Sequence, residues 1–176
     1  MQRNMTYKMV LTAILSAIGV VGGSMFEFTV GVAKVAPMQH LINLITGVLV
    51  GPWWAVTQAF ITSLIRNLLG TGTILAFPGS MIGAFCVGWL FQKTNRLIIA
   101  AFGELIGTGI IGAIVAYPIA SWMMGTTGAI YLFIPSFFLS ALVGVIFGYI
   151  ILKSIWKRII VPQQDKLGIG HKTNRD

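Results

Sequence analysis

LIIAAFGELIGTGIIGAIVAYPIASWM, residues 97–123, holds one charged side chain, Glu104, in 27 positions. A helix of that length rises about 40 Å at 1.5 Å per residue. The hydrocarbon core of a bilayer is about 30 Å thick. A helix apolar on all sides is either buried in a large protein or dissolved in lipid, and 176 residues are too few to bury it. The stretch therefore reads as a membrane span. Its flanks repeat the pattern. Lys93, Asn95 and Arg96 form a polar turn before it, after a span at 80–91. Gly125, Thr126, Thr127 and Gly128 form a turn after it, followed by a last span at 130–156 and a polar tail at 157–176.

The N-terminal half divides the same way. A first span covers 8–23; Arg3 and Lys8 give it a signal-peptide look, but no small-x-small cleavage pattern follows, so it reads as uncleaved. A polar-dotted segment with Glu27 and Lys34 leads to a short span at 38–50, which must tilt or sit inside the bundle. Gly51 and Pro52 break the chain, since proline removes a helical hydrogen bond and suits a first helical position. The third span covers 52–69 and ends at a loop opened by Gly70-Thr71-Gly72-Thr73 and closed by Phe77-Pro78-Gly79-Ser80. The expected fold is an all-α membrane protein: one domain, 1–176, in a compact bundle of six transmembrane helices.

Composition agrees. Hydrophobic residues make up 56% of the chain, charged residues 9%, and mean hydropathy is +0.88. Soluble domains carry about 25% charged residues. The net charge of +8 does not imply nucleic acid, because the basic residues sit at the ends of apolar runs rather than on one face. They set topology instead. With both termini cytoplasmic, the inside holds Arg3, Lys8, Lys93, Arg96, Lys153, Lys157, Arg158, Lys166, Lys172 and Arg175, and the outside only Lys34 and Arg66. The lone cysteine, Cys86, has no partner for a disulfide or metal site. Glycines four apart (Gly79 and Gly83, Gly103 and Gly107, Gly144 and Gly148) read as close helix packing in lipid.

Polar groups at membrane depth are costly and point to function. Away from the inner loops they are Glu27, Lys34, His40, Arg66 and Glu104. Arg66 stands 14 residues past Pro52, about 21 Å along its helix, near the outer surface. Gln39, His40 and Asn43 gather at the outer start of the second span, and Asn67 follows Arg66. The outer half thus has a polar lining, the form of a small-molecule pocket. Phe26, Phe28, Trp53, Trp54, Phe77, Trp122 and Tyr131 are candidate walls, although Trp53 and Trp54 fit an inner interfacial belt better. The plainer readings stay open: Arg66 snorkelling to headgroups, His40 as a packing histidine, Glu27 and Lys34 as a solvated pair. Glu104, eight residues into its span, is open to pairing across the bundle or touching the inner interface, and is not expected to touch substrate. The sequence carries no paired carboxylates, two-histidine metal motif or Gly-x-Ser-x-Gly, and the 70–73 loop lacks the Lys and Ser/Thr of a nucleotide loop. No catalytic residue, metal or cofactor is expected, and uphill transport would need an outside energy source.

Pro37-Met38-Gln39-His40-Leu41-Ile42-Asn43, Gly51-Pro52-Trp53-Trp54-Ala55, Ile65-Arg66-Asn67 and the 70–80 block resemble the ThiW family, over roughly residues 8–157. The resemblance implies a substrate-binding S-component of an energy-coupling-factor transporter with six helices. It implies partners: a transmembrane coupling subunit and two ATP-binding subunits. It implies a thiazole precursor of thiamine, hydroxyethylthiazole, as ligand; the residues place its binding at Glu27, Gln39, His40, Asn43, Arg66, Asn67, Thr71, Thr73, Phe77 and Ser80, with Arg66 either accepting a phosphorylated ligand or holding the outer loops through Glu27. Ala13 and Ala17 match the Ala-x-x-x-Ala docking face of such proteins. Alternatives are another vitamin precursor or thiamine itself as ligand, an intramembrane enzyme, or a structural subunit.

Overall fold

Pro37 fixes the first turn of a helix whose surroundings explain the rest of the architecture. This helix, α2, covers Pro37–Val50, and eleven of its 14 residues are buried. At about 21 Å it falls short of a bilayer. It is instead enclosed, touching α1, α3, α4, α5 and α7. Of the two arrangements its length allowed, it takes the interior one.

The computed structural model describes residues 2–30, 33–124 and 130–156, with side chains over 4–28, 35–122 and 134–156. The turn at 125–128, the basic tail from Lys157, and the side chains of Arg3, Lys34 and Tyr131 lie outside the described residues. The elements in order are α1 (Gln2–Met25), β1 (Phe28–Val30), β2 (Ala33–Val35), α2, α3 (Pro52–Leu68), α4 (Ala76–Thr94), α5 (Leu97–Ile106), a π-helical segment (Gly107–Gly112), α6 (Ala113–Met124) and α7 (Ile130–Ile155). The chain runs on without a break from α5 through the π segment into α6, so these form one rod and the described residues make six. Three stretches are long and apolar enough to cross a membrane: Asn4–Met25, Leu97–Trp122 and Ile134–Ile155. Their outward faces are greasy, with Val10, Ile14, Ile18, Phe102, Phe147 and Ile150 exposed.

Three local features depart from the sequence reading. The segment after α1 forms an antiparallel hairpin, pairing Phe28 with Val35 and Val30 with Ala33, rather than a polar-dotted loop. Helix α4 starts at Ala76, not at 80. Pro78 falls within its first turn, where the missing N–H has no intrahelical partner to lose. The long rod is not uniformly α-helical: Gly107-Thr108-Gly109-Ile110-Ile111-Gly112 widens into a π turn. Glycine supplies three of those six residues, and the backbone there lies against α4. A Cβ on Gly107 would come within 2.8 Å of Gly83 Cα.

The two ends of the bundle differ. Away from the hairpin, Leu44, Val48, Val87, Phe91 and Leu152 make an apolar core, with Trp156 edge-on to Phe91 at 5.9 Å. Midway along α1 and α3, Thr62 Oγ1, which accepts from Gln58 Nε2 at 2.9 Å, donates across to the Ser16 carbonyl at 3.4 Å. Such polar contacts hold helices together where lipid removes the hydrophobic drive. Toward the hairpin, the interior becomes a continuous polar network.

Candidate functional site

Arg66 organises the hairpin end. It lies in the last turn of α3, where the helix dipole favours a cation, and is 3% exposed. Nη1 donates to Gln39 Oε1 at 2.9 Å. Nη2 donates to Glu27 Oε2 at 3.0 Å and to the Thr71 carbonyl at 2.9 Å. Gly70 takes a left-handed φ of +73°, which lets the chain fold back so that the amides of Thr71 and Gly72 both donate to the Arg66 carbonyl at 2.9 Å. Gly23 of α1 makes room for the guanidinium: a Cβ there would stand 3.0 Å from Cζ. One cation thus ties the link after α1, α2, α3 and the 70–73 loop together.

A second tier runs inward. Gln39 Nε2 donates to Ser63 Oγ at 2.8 Å, and Ser63 Oγ meets Ser80 Oγ at 3.1 Å. Below it, Glu104 is fully buried. Its Oε1 is 2.9 Å from His40 Nδ1, accepts from Asn43 Nδ2 at 3.0 Å, and is 3.0 Å from Thr108 Oγ1. Asn43 Nδ2 also donates to the Ser80 carbonyl at 3.1 Å. Thr108, in the π turn, also reaches the Gly79 carbonyl at 3.0 Å. Gly83 leaves the space Glu104 occupies, since a Cβ there would lie 2.6 Å from Oε2.

Above these tiers is a cavity of about 80 Å³, room for several waters or a small organic molecule. Seven of the ten residues expected to bind substrate line it: Glu27, Gln39, His40, Arg66, Thr71, Thr73 and Ser80. Three do not. Asn43 is fully buried behind His40. Asn67 Nδ2 braces the loop, donating to the Ser63 and Thr73 carbonyls at 2.8 and 3.0 Å. Phe77 turns outward onto Phe60, ring centroids 5.7 Å apart. None of the described aromatic residues proposed as walls lines the cavity; Phe137 does, with Ser136 and Ser140 of α7. Ser140 Oγ also accepts from the Ala36 amide at 2.8 Å, fixing α7 to the exit of the hairpin. The one sequence signal for that wall was two serines four apart beside Pro135 in an otherwise apolar helix. Among the described residues no three of His, Cys, Asp or Glu converge on a metal-sized site.

A family model described as thiamine-precursor transporter protein (ThiW) matches residues 9–158. The chain belongs to the ThiW family. No curated protein and no solved structure matches it. The matched region includes every residue that lines the cavity, so the polar end lies within what defines the family. Membership makes the chain a component of a thiamine-precursor transporter.

Proposed function

We propose that this ThiW chain is the substrate-capturing S-component of an energy-coupling-factor transporter, six-spanning with both termini cytoplasmic, and that its cavity takes hydroxyethylthiazole from outside. The observation that carries this reading is the cavity itself: buried polar side chains and one aromatic ring at a single end of a helical bundle. Ten basic residues at the far end and in the tail, against Lys34 and Arg66 at this one, support an outward-facing cavity. Phe137 offers a face for a five-membered ring, and the serines and His40 offer partners for a ring nitrogen and a hydroxyl. The small volume favours a one-ring precursor over two-ring thiamine.

The ligand is unphosphorylated on this reading. Arg66 is already bonded to Glu27, Gln39 and the Thr71 carbonyl, and the Glu104 carboxyl lies behind His40. An anion would face a cation already neutralised and an acid that repels it. Because no tryptophan lines the cavity, calorimetry on the purified chain is the suitable measurement. Hydroxyethylthiazole is expected to bind, and its phosphate ester at least about tenfold more weakly. Tighter binding of the phosphate would reverse the charge argument, and no binding of either would remove the capture reading.

The 70–73 loop serves Arg66 rather than a nucleotide, and on this reading the energy comes from a coupling subunit and two ATP-binding subunits. Ala13 and Ala17 support a place for that contact. Both are exposed on α1, while Leu15, Ser16, Gly19 and Val20 face inward. Ala13→Trp is expected to leave calorimetric binding within twofold of the parent and to abolish uptake into cells carrying the whole transporter. Equal loss of both would show that this face packs inside the fold.

A further inference from the structure

Glu104 is the one carboxyl among the described residues that is wholly buried, and its use lies in what it does to His40. Its Oε1 accepts from the Asn43 amide, and Asn43 Nδ2 must be the nitrogen, because it also faces the Ser80 carbonyl. His40 Nδ1 and Thr108 Oγ1 also meet Oε1, at 2.9 and 3.0 Å, and three groups around one oxygen suit an acceptor with no hydrogen of its own. A proton on Oε2 would find no acceptor, since that oxygen has no hydrogen-bond partner and rests against Gly83. The geometry therefore suits an ionised carboxylate, which only accepts. The imidazole nitrogen 2.9 Å away must then donate. In a neutral imidazole with hydrogen on Nδ1, Nε2 carries a lone pair and no hydrogen.

The rest of the cavity makes that lone pair matter. The guanidinium nitrogens Nη1 and Nη2 of Arg66 and both ends of the Gln39 amide are bonded to protein. His40 lines the cavity, and no hydrogen bond to its Nε2 occurs among the described residues. We propose that Glu104 is a positioning residue that holds His40 in the Nδ1–H tautomer, so that the cavity offers Nε2 as an acceptor and selects uncharged ligands that donate a hydrogen, an alcohol above all. The inference rests on the capture reading above and adds to it the group on the ligand that is read. Glu104 never touches the ligand; it acts through His40.

Two measurements on the full chain in detergent test this. The first needs no ligand. The chain has two histidines, His40 and His171, so ¹⁵N-histidine labelling in a His171→Asn background isolates His40. The expected spectrum at neutral pH shows a protonated Nδ1 and a bare Nε2. A doubly protonated ring, or hydrogen on Nε2, overturns the proposal. The second compares the thiazole alcohol with its fluoro analogue, in which fluorine replaces the hydroxyl at similar size and with no hydrogen to donate. The parent is expected to prefer the alcohol at least about tenfold, as sites built around a hydrogen bond reject analogues lacking it. Glu104→Leu removes the acceptor behind His40 and is expected to bring the ratio within about threefold by weakening the alcohol alone. Glu104→Gln keeps an amide oxygen in place and is expected to retain most of the preference. A merely structural role would weaken both ligands together and leave the ratio intact, which overturns the proposal. If Glu104→Leu does not fold, the parent spectrum and the parent ratio still decide it. A parent that binds both ligands equally leaves capture standing and overturns this inference, whereas a parent that binds neither overturns capture itself.

Discussion

Arg66→Met is expected to abolish ligand capture, by more than about 100-fold, and to lower the melting temperature of the purified chain by roughly 6–12 °C. The reasoning starts from what the guanidinium leaves behind. Three acceptors lose the guanidinium: Gln39 Oε1, Glu27 Oε2 and the Thr71 carbonyl. A buried neutral acceptor left unpaired costs about 1–3 kcal/mol. Breaking a buried ion pair from one side costs about 3–5 kcal/mol, because the other charge is stranded. Here the carboxylate is only partly buried, with the Glu27 side chain 23% exposed against 4% for Arg66. Water can reach it, so the lower figure applies, about 3 kcal/mol. A chain of this size shifts by about 2–4 °C per kcal/mol, which gives the range stated.

The partner substitution sharpens the test. Glu27→Gln keeps an oxygen that accepts from Nη2 but leaves Arg66 buried without its counter-charge, bonded still to Gln39 and the Thr71 carbonyl. It is expected to cost about half as much as Arg66→Met. The double variant removes both charges, and its loss is expected to fall short of the sum of the two singles by about 1–2 kcal/mol, as contacting residues do. Binding should not return in the double variant, because the 70–73 loop and Gln39 lose their common anchor. Thermal melts and calorimetry on the four proteins complete the cycle. A fully additive result would mean that the 3.0 Å pair contributes nothing.

The order of the helices and the residues at the polar end were legible because both are written in local sequence. An apolar run of 27 residues with one acid announces a helix long enough to cross a membrane, and a lone arginine 14 residues past a helix-starting proline announces its place in the helix's last turn. What the residues do to one another was not legible. Asn43 and Asn67 are as polar as Gln39, yet the first faces Glu104 and the second a loop carbonyl. That choice depends on helix rotation, which no single helix encodes. The far wall was missed for the same reason. Phe137 stands in a run of aromatic and aliphatic residues, and only the packing of α7 on α2 decides which ring turns inward. The π turn was hidden because its glycines read equally well as close packing, and they do pack: a Cβ at Gly112 would collide with Gly79 Cα.

The packing of α7 on α2 yields the second large effect. Gly144→Ala is expected to lower the melting temperature by at least about 5 °C, and Gly144→Leu to leave no monodisperse protein on size exclusion. A Cβ at Gly144 would strike the Pro37 carbonyl oxygen, and would lie 2.8 Å from His40 Cβ and 2.9 Å from the Leu41 amide nitrogen. Two of those three atoms are backbone in the first turns of an enclosed helix, so neither can move aside cheaply. Overpacking costs about 1–3 kcal/mol where neighbours can shift and more where they cannot. Gly148, one turn further on the same helix, supplies the control. A Cβ there would meet Leu44 Cδ2 at 3.1 Å and no other atom closer than 3.5 Å. The end of a leucine can turn by a few tenths of an ångström, and alanine gains about 1 kcal/mol over glycine in helix propensity. Gly148→Ala is therefore expected to melt within about 2 °C of the parent. The two variants also part in binding. Moving α7 outward at Gly144 displaces His40 on one side of the contact and, one to two turns away, Ser140 and Phe137 on the other, so capture fails with stability. At Gly148 the contact lies deeper, against Leu41 and Leu44, and capture persists. Equal damage from both alanines would mean that α7 is held by its small-residue stripe as a whole, and not by the single close approach at Gly144.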